Sequence, residues 1–151
     1  MENIAITDAG PLIALFDKSD KYHQKSKRRL EEYRIDVRGR LIATWPIITE
    51  VAYLLKEHVH LQAQLDFLRW ISLGGLEIFD LSREHLSKII ELQKKYSNLP
   101  MDFADATLLI TAEDLNINKV FSLDQDFSIY RILGKRHFEN LMSGRVSQDT
   151  P

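Results

Sequence analysis

An α/β fold around a mainly parallel sheet is what this 151-residue chain predicts, and three observations predict it. Short apolar, partly β-branched runs alternate with longer stretches of helical period, the signature of strand–helix–strand units. Turn-forming groups punctuate them: Asp8-Ala9-Gly10-Pro11, Trp45-Pro46, Gly74-Gly75 and Asn98-Leu99-Pro100. No repeat, low-complexity tract or linker divides the sequence, and its length suits one domain of ~100–150 residues. One domain over residues 1–142, followed by a loose polar tail at 143–151, is the expected organisation.

Taken in order, the apolar run Asn3–Thr7 reads as a buried strand, followed by a turn and a helix through Leu12–Phe16. A polar helix is predicted from Ser19 to Tyr33, where Tyr22, Ser26 and Leu30 recur at i+4. The second strand is Leu41–Thr44. Pro46 then suits the first turn of a helix over Ile47–Glu57, where its missing N–H costs nothing. Apolar residues at Leu61, Leu65, Leu68 and Ile71 predict a helix over Leu61–Ser72. A third strand at Leu76–Leu81 precedes a helix capped by Ser82 and reaching Tyr96. Asp102–Leu115 is a more apolar helix, and Lys119–Leu123 a fourth strand. Phe127–Leu133 is short and ambiguous, and His137–Leu141 reads as a last edge strand.

Composition narrows the functions open to the chain. With no cysteine there is no disulfide, thiolate metal site or thiol nucleophile, which suits a reducing cytoplasm. The first residues lack the basic and apolar regions of a signal peptide, and no apolar run approaches the ~20 residues that span a bilayer. The formal net charge is −2 and the pI about 6.2. A polyanion partner must therefore be held by a local basic patch or by metal ions.

Five carboxylates stand out against apolar surroundings or at strand ends. Asp8 closes the first strand. Glu50 lies on a helix beside Ile47 and Leu54, at i−3 and i+4, with no local backbone donor to satisfy it. Asp105 has Leu108 and Leu109 at i+3 and i+4, and Asp124 and Asp126 follow the fourth strand. Ordinary readings exist for most of them. Asp8 suits a helix cap, Asp102 with Asp105 resembles a capping box, and Asp124 and Asp126 suit a turn. An ionised carboxylate facing a core nevertheless costs several kcal/mol unless paired, hydrogen-bonded or metal-bound. In an open parallel sheet, ligands bind at the carboxyl ends of the strands, where these acids are expected to gather. Such a cluster repels itself. Hard cations such as Mg²⁺ and Mn²⁺ relieve that repulsion.

These residues resemble the PIN-domain ribonucleases, and in particular the VapC-type toxins of type II toxin–antitoxin pairs. The resemblance is carried by Ile6-Thr7-Asp8-Ala9-Gly10-Pro11-Leu12-Ile13-Ala14-Leu15, Thr44-Trp45-Pro46-Ile47-Ile48-Thr49-Glu50-Val51, Met101-Asp102-Phe103-Ala104-Asp105-Ala106-Thr107-Leu108-Leu109 and Phe121-Ser122-Leu123-Asp124-Gln125-Asp126-Phe127. In order and spacing these segments span about Ile4 to Phe127. The resemblance implies a three-layer fold, a parallel sheet of four to five strands with helices on both faces. It also implies hydrolysis of RNA phosphodiesters that leaves 5′-phosphate and 3′-hydroxyl ends. Asp8, Asp105 and Asp124 would hold one or two Mg²⁺ or Mn²⁺ ions, with Glu50 as a further ligand or orienting group. Asp126 and Asp102 are auxiliary acids, Asp102 more a cap than a ligand. Ser122 stands where such proteins often carry threonine and keeps the hydroxyl. An antitoxin partner, in some cases reaching Arg or Lys toward the carboxylates, and a homodimer are further implications. Exposed apolar residues on the helices Ser19–Tyr33 and Ile47–Glu57 are candidate grooves for it.

RNA also needs positive charge. The segment Lys18–Arg40 carries nine basic residues against four acidic ones, and Arg131, Lys135 and Arg136 form a smaller group. Lys25, Arg28, Arg29 and Arg131 are the candidate phosphate contacts; a merely solvated helix face is the ordinary alternative. The five histidines are isolated or diverge, and are read as surface or structural residues. Three other functions stay open: a PIN-like RNA-processing nuclease that is no toxin, a non-catalytic RNA-binding or assembly module, and a metal-dependent phosphatase. The last usually wants a second aspartate two residues after the first, where this chain has Gly10.

Overall fold

Residues 3–143 are described by the computed structural model; beyond Ser143, the tail expected at 143–151 lies outside the described residues. Strand β1 (Ile4–Thr7) passes through Asp8 directly into helix α1 (Ala9–Phe16). The helix starts three residues ahead of the expected Leu12. The Asp8 carboxylate accepts from the Ala9 N–H at 2.8 Å, and Pro11 falls in the first turn. Helix α2 (His23–Val37) starts later than the expected Ser19, because two aspartates claim the preceding backbone. Asp17 Oδ1 accepts from the Ser19 N–H (3.0 Å) and Asp20 Oδ1 from the Tyr22 N–H (2.8 Å). The helix also runs past Tyr33, ending at Arg38 with a left-handed φ of 54°.

Strand β2 (Arg40–Thr44) leads into α3 (Trp45–His58), with Pro46 in the first turn as expected. Helix α4 (Leu61–Ser72) matches its expected bounds, and β3 (Glu77–Phe79) lies within its expected span. The single helix expected from Ser82 to Tyr96 is two pieces. Ser82 caps a 3-10 turn at Arg83–His85, where His85 Nδ1 accepts from the Ser82 N–H at 3.0 Å, and α5 (Leu86–Lys95) follows. Helix α6 (Phe103–Leu115) and β4 (Lys119–Phe121) come next. The ambiguous stretch resolves into a 3-10 turn at Gln125–Ser128 and β5 (Arg131–Ile132), which forms a small antiparallel hairpin with β6 (Arg136–His137). Strand β7 (Glu139–Asn140) lies inside the expected His137–Leu141 and is an edge strand.

The main sheet has the order β3-β2-β1-β4-β7, with every pair parallel. Its central strands are covered on both sides. Ala5, Ile6 and Thr7 in β1, and Leu41 to Thr44 in β2, are all buried although consecutive side chains point to opposite faces. Helix α6 is buried at every position from Ala104 to Ala112, so its polar groups are satisfied internally. Thr107 donates to the Ala104 carbonyl (2.7 Å) and Thr111 to the Thr107 carbonyl (2.8 Å). Thr107 Oγ1 also meets Thr44 Oγ1 at 2.7 Å, fastening the start of α6 to the end of β2. On the other side of the chain, Tyr33 of α2 meets Phe121 of β4 edge-on, ring centroids 5.4 Å apart. No helix among the described residues is long and apolar enough to cross a membrane.

The turn after α2 supplies a direct test of this packing. A Cβ added at Gly39 would lie 2.2 Å from the Tyr33 ring, whereas Arg38 holds a backbone conformation that glycine adopts without strain. Gly39→Ala is expected to lower unfolding free energy in urea by about 1–3 kcal/mol, and Arg38→Gly to leave it unchanged or raise it by up to ~1 kcal/mol.

Candidate active site

The carboxyl ends of β1 and β4, the start of α1, the second turn of α3 and the first turn of α6 meet around an open cleft of about 380 Å³. Asp8, Glu50, Asp102, Asp105 and Asp124 line it, with Ala9, Gly10, Pro100 and Leu123. The four acids expected to gather are therefore neighbours, and Asp102 joins them. Asp126 does not line this cleft; it sits beyond Asp124, whose Oδ1 accepts from the Asp126 N–H at 2.9 Å.

Local backbone chemistry sets each side chain. Asp8 and Asp105 are each only about 9 % exposed, which makes their partners decisive. Asp8 has one oxygen on the Ala9 N–H and the other at 3.2 Å from Ser122 Oγ, which donates to it. Ser122 Oγ accepts in turn from the Asp124 N–H at 2.9 Å, so a single hydroxyl orients two of the acids. Asp105 and Asp102 form a reciprocal cap on α6: Asp102 Oδ1 accepts from the Asp105 N–H (2.8 Å), and Asp105 Oδ2 from the Asp102 N–H (3.4 Å). The Asp102 carboxylate is thus engaged as a cap, while Asp105 keeps an oxygen for the cleft. Glu50 is half-buried, without such a cap.

Sequence reasoning missed Asn140. From the edge strand β7, its Oδ1 accepts from the Ser122 N–H (3.2 Å) and the Met142 N–H (3.0 Å), while its Nδ2 donates to the Ser122 carbonyl (2.9 Å). This amide brackets the residue that holds Asp8. Nothing in the local pattern announces it, because an asparagine in a short polar strand is unremarkable until its tertiary partner is known.

Burial and like charge act together in the cleft. Burial, and next the Asp124 and Asp102 charges, push Asp8 up to about 6 despite the opposing pull of Ala9 and Ser122. Burial, and next the Asp8 and Asp102 charges, push Asp105 up to about 8. Glu50 is raised by burial and by Asp102 and Asp8, and Asp126 by burial and Asp124. The donor set is oxygen only and lacks countercharge, so its chemistry fits a hard divalent cation. Among the described residues, no group of three or more His, Asp or Glu side chains is already arranged to hold one.

The basic candidates divide. Lys25 is half-buried and borders a cavity of about 190 Å³ shared with Ser122, Asp124 and Asn140. Arg28 is exposed on the same helix. Arg29 does not belong to that rail: it is only 7 % exposed and lies 3.6 Å from Glu32, because i+3 spacing from Ser26 turns it inward with the buried face of α2. Arg131 is also diverted, its Nη1 donating to the carbonyls of Ser128, Ile129 and Tyr130 and so holding the turn after β4.

Raised carboxylate pKa values make a stability prediction of definite sign. A folded state that binds protons more tightly than the unfolded chain loses stability as pH rises from about 4 to 8. Asp105→Asn removes the charge and keeps an acceptor for the Asp102 N–H. In EDTA it is expected to be more stable than wild type by about 1–3 kcal/mol at pH 8, with the gap closing near pH 4, by urea denaturation.

The sequence matches the PIN domain over residues 5–133. It is 23 % identical over 134 residues to ribonuclease VapC26 of Mycobacterium tuberculosis, covering 88 % of this chain and 96 % of that one. The fold is similar to that of VapC20 of Mycobacterium tuberculosis, a sarcin–ricin loop cleaving toxin, with a TM-score of 0.73, 18 % identity, and 84 % and 94 % of the two chains covered. It is also similar to VapBC2 from Rickettsia felis, solved bound to a DNA fragment from its promoter, with a TM-score of 0.64, 17 % identity, and 91 % and 98 % covered. Since the PIN match runs from within β1 to beyond β4 and takes in Asp8, Glu50, Asp105 and Asp124, the chain belongs to the PIN domain family.

Proposed function

We propose that this chain is a metal-dependent endoribonuclease that hydrolyses RNA phosphodiester bonds in the carboxylate cleft, and that it is the toxin of a type II toxin–antitoxin pair. The observation that carries the reading is the convergence of Asp8, Glu50, Asp105 and Asp124 on one cleft at the strand ends. Its likeness to the VapC ribonucleases points the same way.

Asp8, Asp105 and Asp124 are the residues that would hold one or two Mg²⁺ or Mn²⁺ ions, with Glu50 beside them. Such ions lower the pKa of water and offset charge that builds on a phosphoryl group in the transition state. Within the chain, Ser122 and the Ala9 N–H fix the direction of the Asp8 oxygens, and Asn140 fixes Ser122. Asp102 anchors the first turn of α6 so that Asp105 faces the cleft. Asp126 supports Asp124 through the turn that they share. Phosphates outside the cleft fall to Lys25 and Arg28 on the α2 flank.

The same reading places the protein in the cytoplasm, as a homodimer held in check by a cognate antitoxin. Apolar side chains exposed across α3 and α4, among them Tyr53, Leu61, Leu65 and Leu68, support a protein interface there. Gln64 bridges these helices by donating to the Ala52 carbonyl at 2.8 Å.

The decisive assay compares wild type with Asp8→Asn on labelled structured RNAs in Mn²⁺, Mg²⁺ and EDTA. Cleavage by wild type, abolished by EDTA and reduced at least ~100-fold by the substitution, is the expected outcome. Cleavage unaffected by EDTA would overturn the metal reading. For the cationic flank, Lys25→Ala with Arg28→Ala is expected to flatten the salt dependence of single-strand binding by a log–log slope of about 1.4, two lost phosphate contacts. An unchanged slope would remove these residues from the RNA path.

A further inference from the structure

We infer that the cavity between α2 and the β4–β7 side of the sheet is a binding site for a small organic monocarboxylate. Arg29 and Tyr33 meet its carboxylate, and Val37, Phe121 and Leu141 its apolar body. The site is independent of the ribonuclease reading, since it shares no residue with the carboxylate cleft.

Helical period builds one wall. Arg29, Tyr33 and Val37 recur at i+4 on α2, and all three border a cavity of about 110 Å³. Strand period builds the other. Glu139 and Leu141 face the cavity, whereas Asn140 between them points the other way, toward Ser122. Phe121 of β4 packs edge-on against Tyr33, with ring centroids 5.4 Å apart. Asp36 and Val37 are exposed, which gives the cavity a mouth near the end of α2.

Two donors in this wall lack acceptors. Arg29 is 7 % exposed and Tyr33 8 %. Buried Arg29 Nε and Tyr33 Oη have no hydrogen-bond partner among the described residues. Glu32 lies 3.6 Å from the Arg29 Nη1, an ion pair beyond hydrogen-bond reach. A guanidinium can only donate, and a buried donor left unanswered is costly. Burial, and next the Glu139 charge, push the Tyr33 hydroxyl up to about 12 against the pull of Arg40, so it keeps its proton and can donate as well. Its ring is fixed in place, because Gly39 packs so closely that a Cβ there would lie 2.2 Å away.

These donors select the ligand. A carboxylate accepts from both at once, in charge-assisted hydrogen bonds. Glu32, Asp36 and Glu139 also border the cavity, against Arg29 and Lys119 as bases, which disfavours a dianion such as phosphate. Asp36 and Glu139 are exposed and screened by water, whereas Arg29 is buried, where attraction is screened least. An apolar cavity of about 150 Å³ admits benzene. A somewhat smaller one with an open mouth suits a single ring or a short branched chain.

The test uses the full-length protein in EDTA, so that no metal ion draws a carboxylate to the cleft. Its probe is 4-fluorobenzoate, followed by ¹⁹F NMR. Saturable binding is expected, weakened at least about tenfold by Arg29→Met and about three- to tenfold by Tyr33→Phe. Lys27→Ala, which removes an exposed charge from the same helix, should leave it unchanged. The amine 4-fluorobenzylamine, with the same ring and opposite charge, should bind at least about tenfold more weakly. Tyr33→Phe keeps the ring and its packing, so it carries the test if Arg29→Met loses its native circular dichroism spectrum. Absence of saturation in the millimolar range would overturn the site and leave the cavity to water. So would tighter binding of the amine, which assigns the cavity to its acids, or binding that the folded variants retain in full.

Discussion

Asp8 and Asp105 are buried carboxylates that repel each other across a cleft without a cationic side chain, and much of the rest of the molecule is arranged around that juxtaposition. Parallel strands make it possible. Because β1 and β4 run the same way and are adjacent, Asp8 and Asp124 follow them at one edge, and α6, which feeds β4, starts at that cleft with Asp105. Placing two acids in such a position costs several kcal/mol if nothing answers their charge. Part of the answer is local: backbone N–H groups at Ala9 and Asp102 and the Ser122 hydroxyl. The remainder is supported by the apolar core, in which α6 is buried along almost its whole length.

Support for the cleft extends well beyond the residues that line it. Asn140 comes from a two-residue edge strand, yet it holds Ser122 through both its amide oxygen and its amide nitrogen, and Ser122 in turn orients Asp8 and Asp124. The short ladder between β4 and β7 therefore matters to the site more than its length suggests. Thr44 and Thr107 act comparably from the opposite side by locking the two helices that deliver Glu50 and Asp105. Thr44 and Thr107 are both fully buried and Asn140 is half-buried against buried Ser122, and a hydrogen bond shielded from water fixes geometry more firmly than an exposed one.

What could be read from the sequence was whatever one segment determines by itself. The alternation of strands and helices, the helix bounds at Leu61 and Ser72, and Pro46 in a first turn all follow from local period and backbone chemistry. The acids were legible for a related reason, since Glu50 and Asp105 break apolar helical faces. Three kinds of feature were not. Helix α2 starts late because Asp17 and Asp20 compete for backbone N–H groups, which periodicity does not register. Arg29 counts as a surface charge in any tally, but the twist of α2 turns it inward with Ser26 and Tyr33. Asn140 and the Thr44–Thr107 bond depend on pairs 18 and 63 residues apart, and no local pattern encodes such partners.

A cleft that carries surplus negative charge can gain countercharge in more than one way. Divalent ions supply it, and so does a guanidinium or ammonium group presented by another protein. Both relieve the same repulsion, so they draw on the same free energy and oppose one another at the site. Under the reading proposed here, the burial that makes these acids good ligands also makes the cleft receptive to a basic inhibitory segment. Activity and its restraint would then have one electrostatic origin. The protein would need no separate regulatory site, because the repulsion among its acids is what either occupant relieves.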